Sequence, residues 1–253
     1  MARIAKITSL FLLLCWAMPV QSQIVNIERA RIQSDSTGWL GNAGASFSLT
    51  KNKVQVFAAD ADAQVQYKSK RSLVLLSGNF GVLKSAGSNL IRQSLLHLRY
   101  NYKINSTVRW ELFTQWQQNA VTLIDYRFLL GTGPRFKIIG RDKFRCYAGS
   151  LLMYESEREK TTEHQLHHDL RNSSYLSFTI IPSPSMELIS TTYFQPLLND
   201  ISDYRLLNQV LLRLKAGKYW AIRLDWNYLF DKKPVMGIPK ETYKFSTGFD
   251  VDL

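Results

Sequence analysis

The sequence predicts an all-β protein, a 12-stranded antiparallel transmembrane β-barrel with periplasmic termini. Three observations carry that expectation. Apolar and polar residues alternate in segment after segment of about ten residues. The connections between segments are short and long in turn. The N-terminus reads as an export signal.

The alternation is cleanest from Leu95 to Gln117, around a turn at Asn105-Ser106. Leu96, Leu98, Tyr100 and Tyr102 share one face, and His97, Arg99, Asn101 and Lys103 share the other. On the return segment Val108, Trp110, Leu112, Thr114 and Trp116 oppose Arg109, Glu111, Phe113, Gln115 and Gln117. Side chains alternate sides along a strand, so this hairpin is apolar on one face and charged on the other. One such hairpin suits a soluble sandwich. Its recurrence along the chain points to a sheet facing lipid.

At the N-terminus, Arg3 and Lys6 precede the apolar run Ile7 to Met18, and Val20-Gln21-Ser22 follows as a cleavage site. The run is too short for a spanning helix. Residues 1–22 therefore read as a signal peptide, 23–36 as a periplasmic lead-in and 37–253 as the barrel. Cys15 follows three leucines and lacks the small neighbour a lipid-attachment site requires. Cleavage leaves Cys146 as the sole cysteine, so no intramolecular disulfide forms. The formal charge of +12 falls to +10 with the loss of Arg3 and Lys6. Export argues against nucleic acid as the partner of that charge. Lipopolysaccharide phosphates or interior ion pairs suit it better.

In order, the first segment from Thr37 sets Trp39, Gly41, Ala43, Ala45, Phe47 and Leu49 on one face. The second, from about Val54 to Tyr67, sets Phe57, Ala59, Ala61, Ala63 and Val65 against Asp60, Asp62, Gln64 and Gln66. Ser72 to Leu83 aligns Val74, Leu76, Phe80 and Val82, and the hairpin above supplies the fourth and fifth segments. The sixth, Tyr126 to Ile138, sets Phe128, Leu130, Thr132 and Phe136 against Arg127, Gly131, Gly133, Arg135 and Lys137. Phe144 to Glu155, Arg171 to Ile181, Met186 to Gln195 and Arg205 to Lys215 follow. The eleventh sets Trp220, Ile222, Leu224, Trp226, Tyr228 and Phe230 against Arg223, Asp225, Asn227 and Asp231. The twelfth ends at Leu253, with Phe245, Phe249 and Val251 on its face, an ending of the kind read by the outer-membrane assembly machinery.

The connections at Ser69-Lys70, Asn105-Ser106, Gly140 to Lys143, Ser183 to Ser185 and Ala216 to Lys218 are short. Ser156 to Leu170, Pro196 to Tyr204 and Lys232 to Thr242 are the longest, and all three fall on the alternate parity. Outer-membrane barrels show this asymmetry, with short periplasmic turns and long outer loops. Tyr100, Tyr102, Trp110 and Trp220 near one end, with Trp116, Tyr228 and Phe230 near the other, fit interfacial girdles.

The segments HLRYNYKIN (His97 to Asn105), WELFTQWQQN (Trp110 to Asn119), RFLLGTGPRF (Arg127 to Phe136), LLMYESE (Leu151 to Glu157), TTYFQP (Thr191 to Pro196) and DYRLL (Asp203 to Leu207) resemble a known family. It is the salt-induced outer-membrane protein family, a domain of unknown function. The resemblance spans about Gly38 to Leu253 and implies an outer-membrane barrel. It implies no reaction and no ligand.

Chemistry-bearing groups are few. His164, His167, His168 and Asp169 lie in the longest predicted loop, where a metal would need a fixed element to hold its ligands. No metal or cofactor is expected. A hydrolase, phospholipase-like or protease-like, needs a histidine at the outer rim, and His97 sits towards the short-turn end. Gly131-Thr132-Gly133-Pro134 lacks the following helix of a phosphate cradle. A non-enzymatic narrow channel or structural envelope component of the cell outer membrane is the leading expectation. A hydrolase, or an accessory subunit of a secretion or uptake complex, is the alternative. The expected partners are outer-membrane lipid, lipopolysaccharide and the assembly machinery.

The face opposite the apolar one supplies the candidate site. It carries Asp60, Asp62, Arg99, Arg109, Glu111, Arg127, Arg135, Arg213, Arg223, Asp225 and Asp250. A 12-stranded bore is narrow, so long arginines should reach carboxylates on neighbouring strands. A lattice around Glu111 is expected, with Arg99, Arg109 and Arg127 as its partners.

Overall fold

The computed structural model describes residues 37–51, 55–85, 91–120 and 122–252. The predicted signal peptide, the lead-in and Leu253 lie outside the described residues. Twelve strands are present: β1 (Gly38–Lys51), β2 (Gln55–Lys68), β3 (Ser72–Ser85), β4 (Ile91–Lys103), β5 (Val108–Asn119), β6 (Ile124–Arg141), β7 (Phe144–Glu159), β8 (Leu166–Ser183), β9 (Met186–Pro196), β10 (Tyr204–Lys215), β11 (Trp220–Asp231) and β12 (Glu241–Asp252). Each pairs with its sequence neighbours, and β1 pairs with β12 to close the barrel. The closing seam runs from Asn42↔Asp252 to Ala45↔Phe249. The Asn42 amide strengthens it by donating to the Val251 carbonyl at 3.1 Å.

The period-2 pattern dictates which way each side chain points. Leu96, Leu98, Tyr100 and Tyr102 are exposed on the outside, whereas His97, Arg99 and Asn101 are at most 3% exposed within. Trp39, Phe47, Phe80, Trp116, Trp220 and Phe249 also face outwards. The barrel is therefore inverted relative to a water-soluble one, apolar outside and polar inside. A surface of this kind is stable only against lipid.

Length asymmetry between the two ends persists. The turns at 69–71, 104–107, 142–143, 184–185 and 216–219 lie at one end. The segments 160–165, 197–203 and 232–240 lie at the other. Two expectations need correction there. Strands β7 and β8 run on to Glu159 and back from Leu166, so most of the expected loop Ser156 to Leu170 is paired strand. His167, His168 and Asp169 accordingly stand on β8, and His164 alone lies in the turn. The pairing continues because backbone hydrogen bonds do not need an apolar face. Only the hydropathy alternation stops there, where Ser156 and Arg158 take the place of apolar residues on the outer face.

Candidate functional site in the barrel lumen

Inward-facing positions place arginines opposite carboxylates, and strand tilt decides which ones meet. On β5, Glu111 is 0% exposed. Arg99 on β4 donates to its Oε2 at 3.0 Å, and Arg135 on β6 lies 3.8 Å from Oε1. The Tyr175 hydroxyl on β8 donates to Glu111 Oε2 at 2.7 Å, a bond between strands that are not neighbours and so one that crosses the bore. Tyr175 also accepts from Arg135 at 3.0 Å. The Arg135 guanidinium stacks over Tyr147 at 3.9 Å, and that of Arg99 lies over Phe113 at 5.1 Å.

A second hub forms nearer the long-loop end around Glu155 on β7. Arg127 reaches it at 2.9 Å, Arg171 at 3.1 Å and Arg205 at 2.7 Å. Arg127 also pairs with Glu157, Arg171 with Asp203 at 3.2 Å, and Arg205 with Asp231 at 2.8 Å. Since β7 and β10 are not neighbours, the Arg205–Glu155 bond is another brace across the bore. A third hub centres on Arg223 of β11. It contacts Asp62 at 2.8 Å, Asp225 at 2.9 Å and Asp250 at 2.8 Å. Arg213 joins at Asp250, 3.3 Å away. Asp60 stands apart, with Lys244 at 3.2 Å and Gln93 at 2.9 Å.

Between the Glu111 and Glu155 hubs lies an apolar layer of Phe113, Leu129, Leu151, Met153, Tyr175, Tyr193 and Leu207. None of these seven is more than 9% exposed. A cavity of about 30 Å³ remains beside them, on the order of one water's volume. Towards the long-loop end the bore widens to a vestibule of about 210 Å³, lined by Arg127, Arg171, Arg205, Asp203 and Asp231 among others. The interior is thus polar at two levels and filled with hydrocarbon and aromatic rings between them.

One of the three partners expected for Glu111 stands elsewhere, and Arg99 is in place. Arg127 pairs in register with Gln117, and Glu111 with Gly133, so Arg127 stands six residues, about 20 Å, further along the strand pair. Arg109 packs against Tyr147, its guanidinium 5.9 Å from the ring. Arg135, which sequence grouped with the lumen charges but not with Glu111, takes the place beside that carboxylate. Glu155, Glu157, Arg171 and Arg205 were not singled out by the alternation. The apolar layer did leave a signal: Leu112-Phe113, Leu129-Leu130 and Leu151-Leu152-Met153 are apolar on both faces, breaking the alternation where the bore is filled.

The histidines do not assemble a catalytic set. His97 is 0% exposed, its Nδ1 lies 3.1 Å from Gln115 Oε1, and its ring stacks on Phe113 at 5.5 Å. Ser77 faces it across the sheet without a hydrogen bond. In the Ser-His-Asp arrangement a carboxylate stands where this ring meets the Gln115 amide. His167 pairs with Glu159 at 3.1 Å and His168 lies 2.8 Å from the Tyr154 hydroxyl. Among the described residues, no three His, Cys, Asp or Glu side chains gather as a metal site.

Residues 41–252 match the model of a family described as protein of unknown function, DUF481. The match agrees with the domain of unknown function that the motifs pointed to. No curated protein matches the sequence. Among solved structures, the chain is similar to an outer membrane channel from Pseudomonas putida F1, with a TM-score of 0.57 at 8% identity over 91% of this chain and 100% of that one. It is also similar to the translocator domain of the autotransporter NalP from Neisseria meningitidis, with a TM-score of 0.54 at 10% identity over 86% and 89%. A third likeness is to the NanC porin, with a TM-score of 0.52 at 12% identity over 85% and 100%. At these identities the likeness is one of fold: a closed, 12-stranded antiparallel barrel of the outer-membrane type.

Proposed function

The chain belongs to the DUF481 family of proteins of unknown function, and we propose that it acts as a non-catalytic outer-membrane barrel. In this reading it is a narrow solute channel, lined by arginine and carboxylate and held shut at rest by its own side chains. The single observation that carries this reading is the filled layer of Phe113, Leu129, Leu151, Met153, Tyr175, Tyr193 and Leu207 between two charged hubs. An open pore would leave its lining wet. Here Glu111, Glu155 and Arg135 are at most 1% exposed.

The likeness to barrels whose solved structures are described as a channel and a porin supports the channel class. The leader-like residues 1–22 and the loop asymmetry support export and an orientation with the short turns in the periplasm. Lipid, lipopolysaccharide and the assembly machinery remain the partners this reading calls for. The same filled layer also suits a structural envelope component that never conducts.

Planar-bilayer recording separates the two. The wild-type barrel should be almost silent, with rare brief openings. The double substitution Phe113→Ala, Met153→Ala should give steady conductance by emptying the layer. A large, steady wild-type conductance would sink the closed-channel reading. A wild type silent at every voltage and with every solute tried would favour the structural one. Recovery of the protein in soluble form without detergent would sink both.

A further inference from the structure

The barrel is closed less completely along one half of its seam than along the other. From the short-turn end, β1 and β12 pair from Asn42↔Asp252 to Ala45↔Phe249. Among the described residues the register stops there, although β1 continues to Lys51 and β12 begins at Glu241. The far side of each strand stays paired along this length. β1 follows β2 from Ser46↔Asp60 to Lys51↔Gln55, and β12 follows β11 from Arg223↔Gly248 to Phe230↔Glu241. The long-loop half of the seam thus sets two strand edges side by side without a ladder between them. Backbone N–H and C=O groups at membrane depth need partners, and hydrocarbon supplies none.

Side chains also hold the two halves differently. On the paired half Gly44 leaves room on the inner face. A Cβ there would lie 2.8 Å from Asp250 Oδ1, 2.9 Å from an Arg223 nitrogen and 3.1 Å from Asp62 Oδ2. The Arg223 hub therefore lies across the seam, from β11 to β2, and locks it. On the other half, Lys244 of β12 reaches past β1 to Asp60 of β2 at 3.2 Å. Asp60 also accepts from Gln93 at 2.9 Å, so it keeps a donor when Lys244 lets go. On the outer face Phe47 and Phe245, 80% and 63% exposed, flank the gap.

We infer that the long-loop half of the β1–β12 seam is a lateral portal, clasped by Asp60 and Lys244, that admits amphiphiles from the surrounding lipid. The rims are apolar outside and polar inside, so an occupant must be apolar at one end and polar at the other. Its chain lies against Phe47 and Phe245, and its head meets the strand edges and the released Lys244. The inference rests on the proposed membrane reading for its setting, and in that orientation the portal faces the outer leaflet. It does not require conduction along the bore.

The test uses the full barrel in lipid nanodiscs, with Cys146→Ser as background and folding checked by heat-modifiable gel mobility. Spin labels at Ala43→Cys with Val251→Cys sit on a register pair, where Cα atoms are about 5 Å apart, and should broaden each other's spectra strongly. Labels at Phe47→Cys with Thr247→Cys, which would face each other if the register continued, should lose that broadening. A fluorophore at Ser46→Cys, opposite Asp60, should be quenched by phosphatidylcholine with brominated chains. One at Asn79→Cys, opposite Asp62 and away from the seam, should not. Lys244→Gln, or Asp60→Asn should the first fail to fold, should deepen the quenching at position 46. Equal broadening at the two pairs, equal quenching at the two positions, or quenching indifferent to loss of the clasp would overturn the inference. Bilayer recordings test the axial path and play no part here, so failure of the channel reading and failure of the portal are told apart.

Discussion

Glu111→Gln is expected to destabilise the barrel severely while barely changing its shape. The substitution keeps the size of the side chain and an oxygen for the Tyr175 hydroxyl, and removes one negative charge. That charge faces Arg99 at 3.0 Å and Arg135 at 3.8 Å, with both arginines at most 2% exposed. At an effective dielectric constant near 20 the two attractions are about 5.5 and about 4.4 kcal/mol, upper limits because each guanidinium spreads its charge. Desolvation of the three ions cancels part of this in the intact protein, and removing one partner of a buried pair costs about 3–5 kcal/mol in practice. Urea titration of the barrel in lipid vesicles, read by gel mobility and tryptophan fluorescence, measures the loss. With slopes of about 1–3 kcal/mol per molar urea, the midpoint should fall by at least about 1 M. Adding Arg99→Met and Arg135→Met to Glu111→Gln should recover most of the loss, because a packed apolar cluster replaces an uncompensated one. Conductance should rise in Glu111→Gln as two freed arginines leave the Glu111 hub. A midpoint within experimental error of wild type would refute the reasoning, since it would mean that water already screens the hub.

Gly133→Ala should cost more than Gly131→Ala. A methyl at Gly133 would run into the Ser150 carbonyl oxygen and the Leu151 Cα, which are backbone, whereas at Gly131 it meets the Phe113 ring. We expect a loss of roughly 2 kcal/mol or more at Gly133, on the scale of other overpacked sites, against a smaller loss and a leakier bore at Gly131. Urea midpoints and bilayer recordings of the two variants give the comparison. Outside the membrane, the hydrogen bonds from Lys233 and Ser202 hold the Asp200 carboxyl down at about 2. A carboxyl depressed in the folded state contributes above its ordinary value and loses that contribution as pH falls through the lowered one. The contact between 197–203 and 232–240 should therefore persist at pH 4 and fail towards pH 2. The Asp200 carboxyl carbon shift in an NMR titration reports this, and Lys233→Gln should move its midpoint upward.

The fold was legible because a lipid-facing sheet needs hydrophobic residues at every second position, and the chain supplies them strand after strand. Strand ends were less legible. In ESEREK, around Arg158, both faces are polar, so nothing in the hydropathy shows that β7 continues to Glu159. Glu155 and Glu157 were hidden for the same reason, lying at the edge of the segment whose alternation was readable. The membership of the lumen face was legible for Asp60, Asp62, Arg213, Arg223 and Asp225. Of the partners of Glu111, Arg99 was legible and Arg135 was not. Pairing depends on register and on strand tilt, and these place Arg135 beside Glu111 and Arg127 beside Glu155. The filled layer needed a different question, namely where the alternation breaks.

The inverted pattern also decides what makes the fold unique. Lipid presents a uniform apolar solvent, so the outer face of a strand is satisfied by many positions along its neighbour. The inner face is not. A one-residue slip between β4 and β5 would turn one partner of each pair outward, setting Arg99 or Glu111 against hydrocarbon. A charge moved to the lipid face near the bilayer midplane costs about 2–4 kcal/mol for an arginine. The Glu111, Glu155 and Arg223 hubs each bridge at least three strands, so one slip disturbs several pairs at once. Braces between strands that are not neighbours, Tyr175 to Glu111 and Arg205 to Glu155, also resist flattening of the barrel's cross-section. On this argument, the residues that set the register also hold the barrel's cross-section, and opening the bore must leave those braces in place. The apolar layer apart from Tyr175, whose hydroxyl braces Glu111, is then the part of the interior free to move.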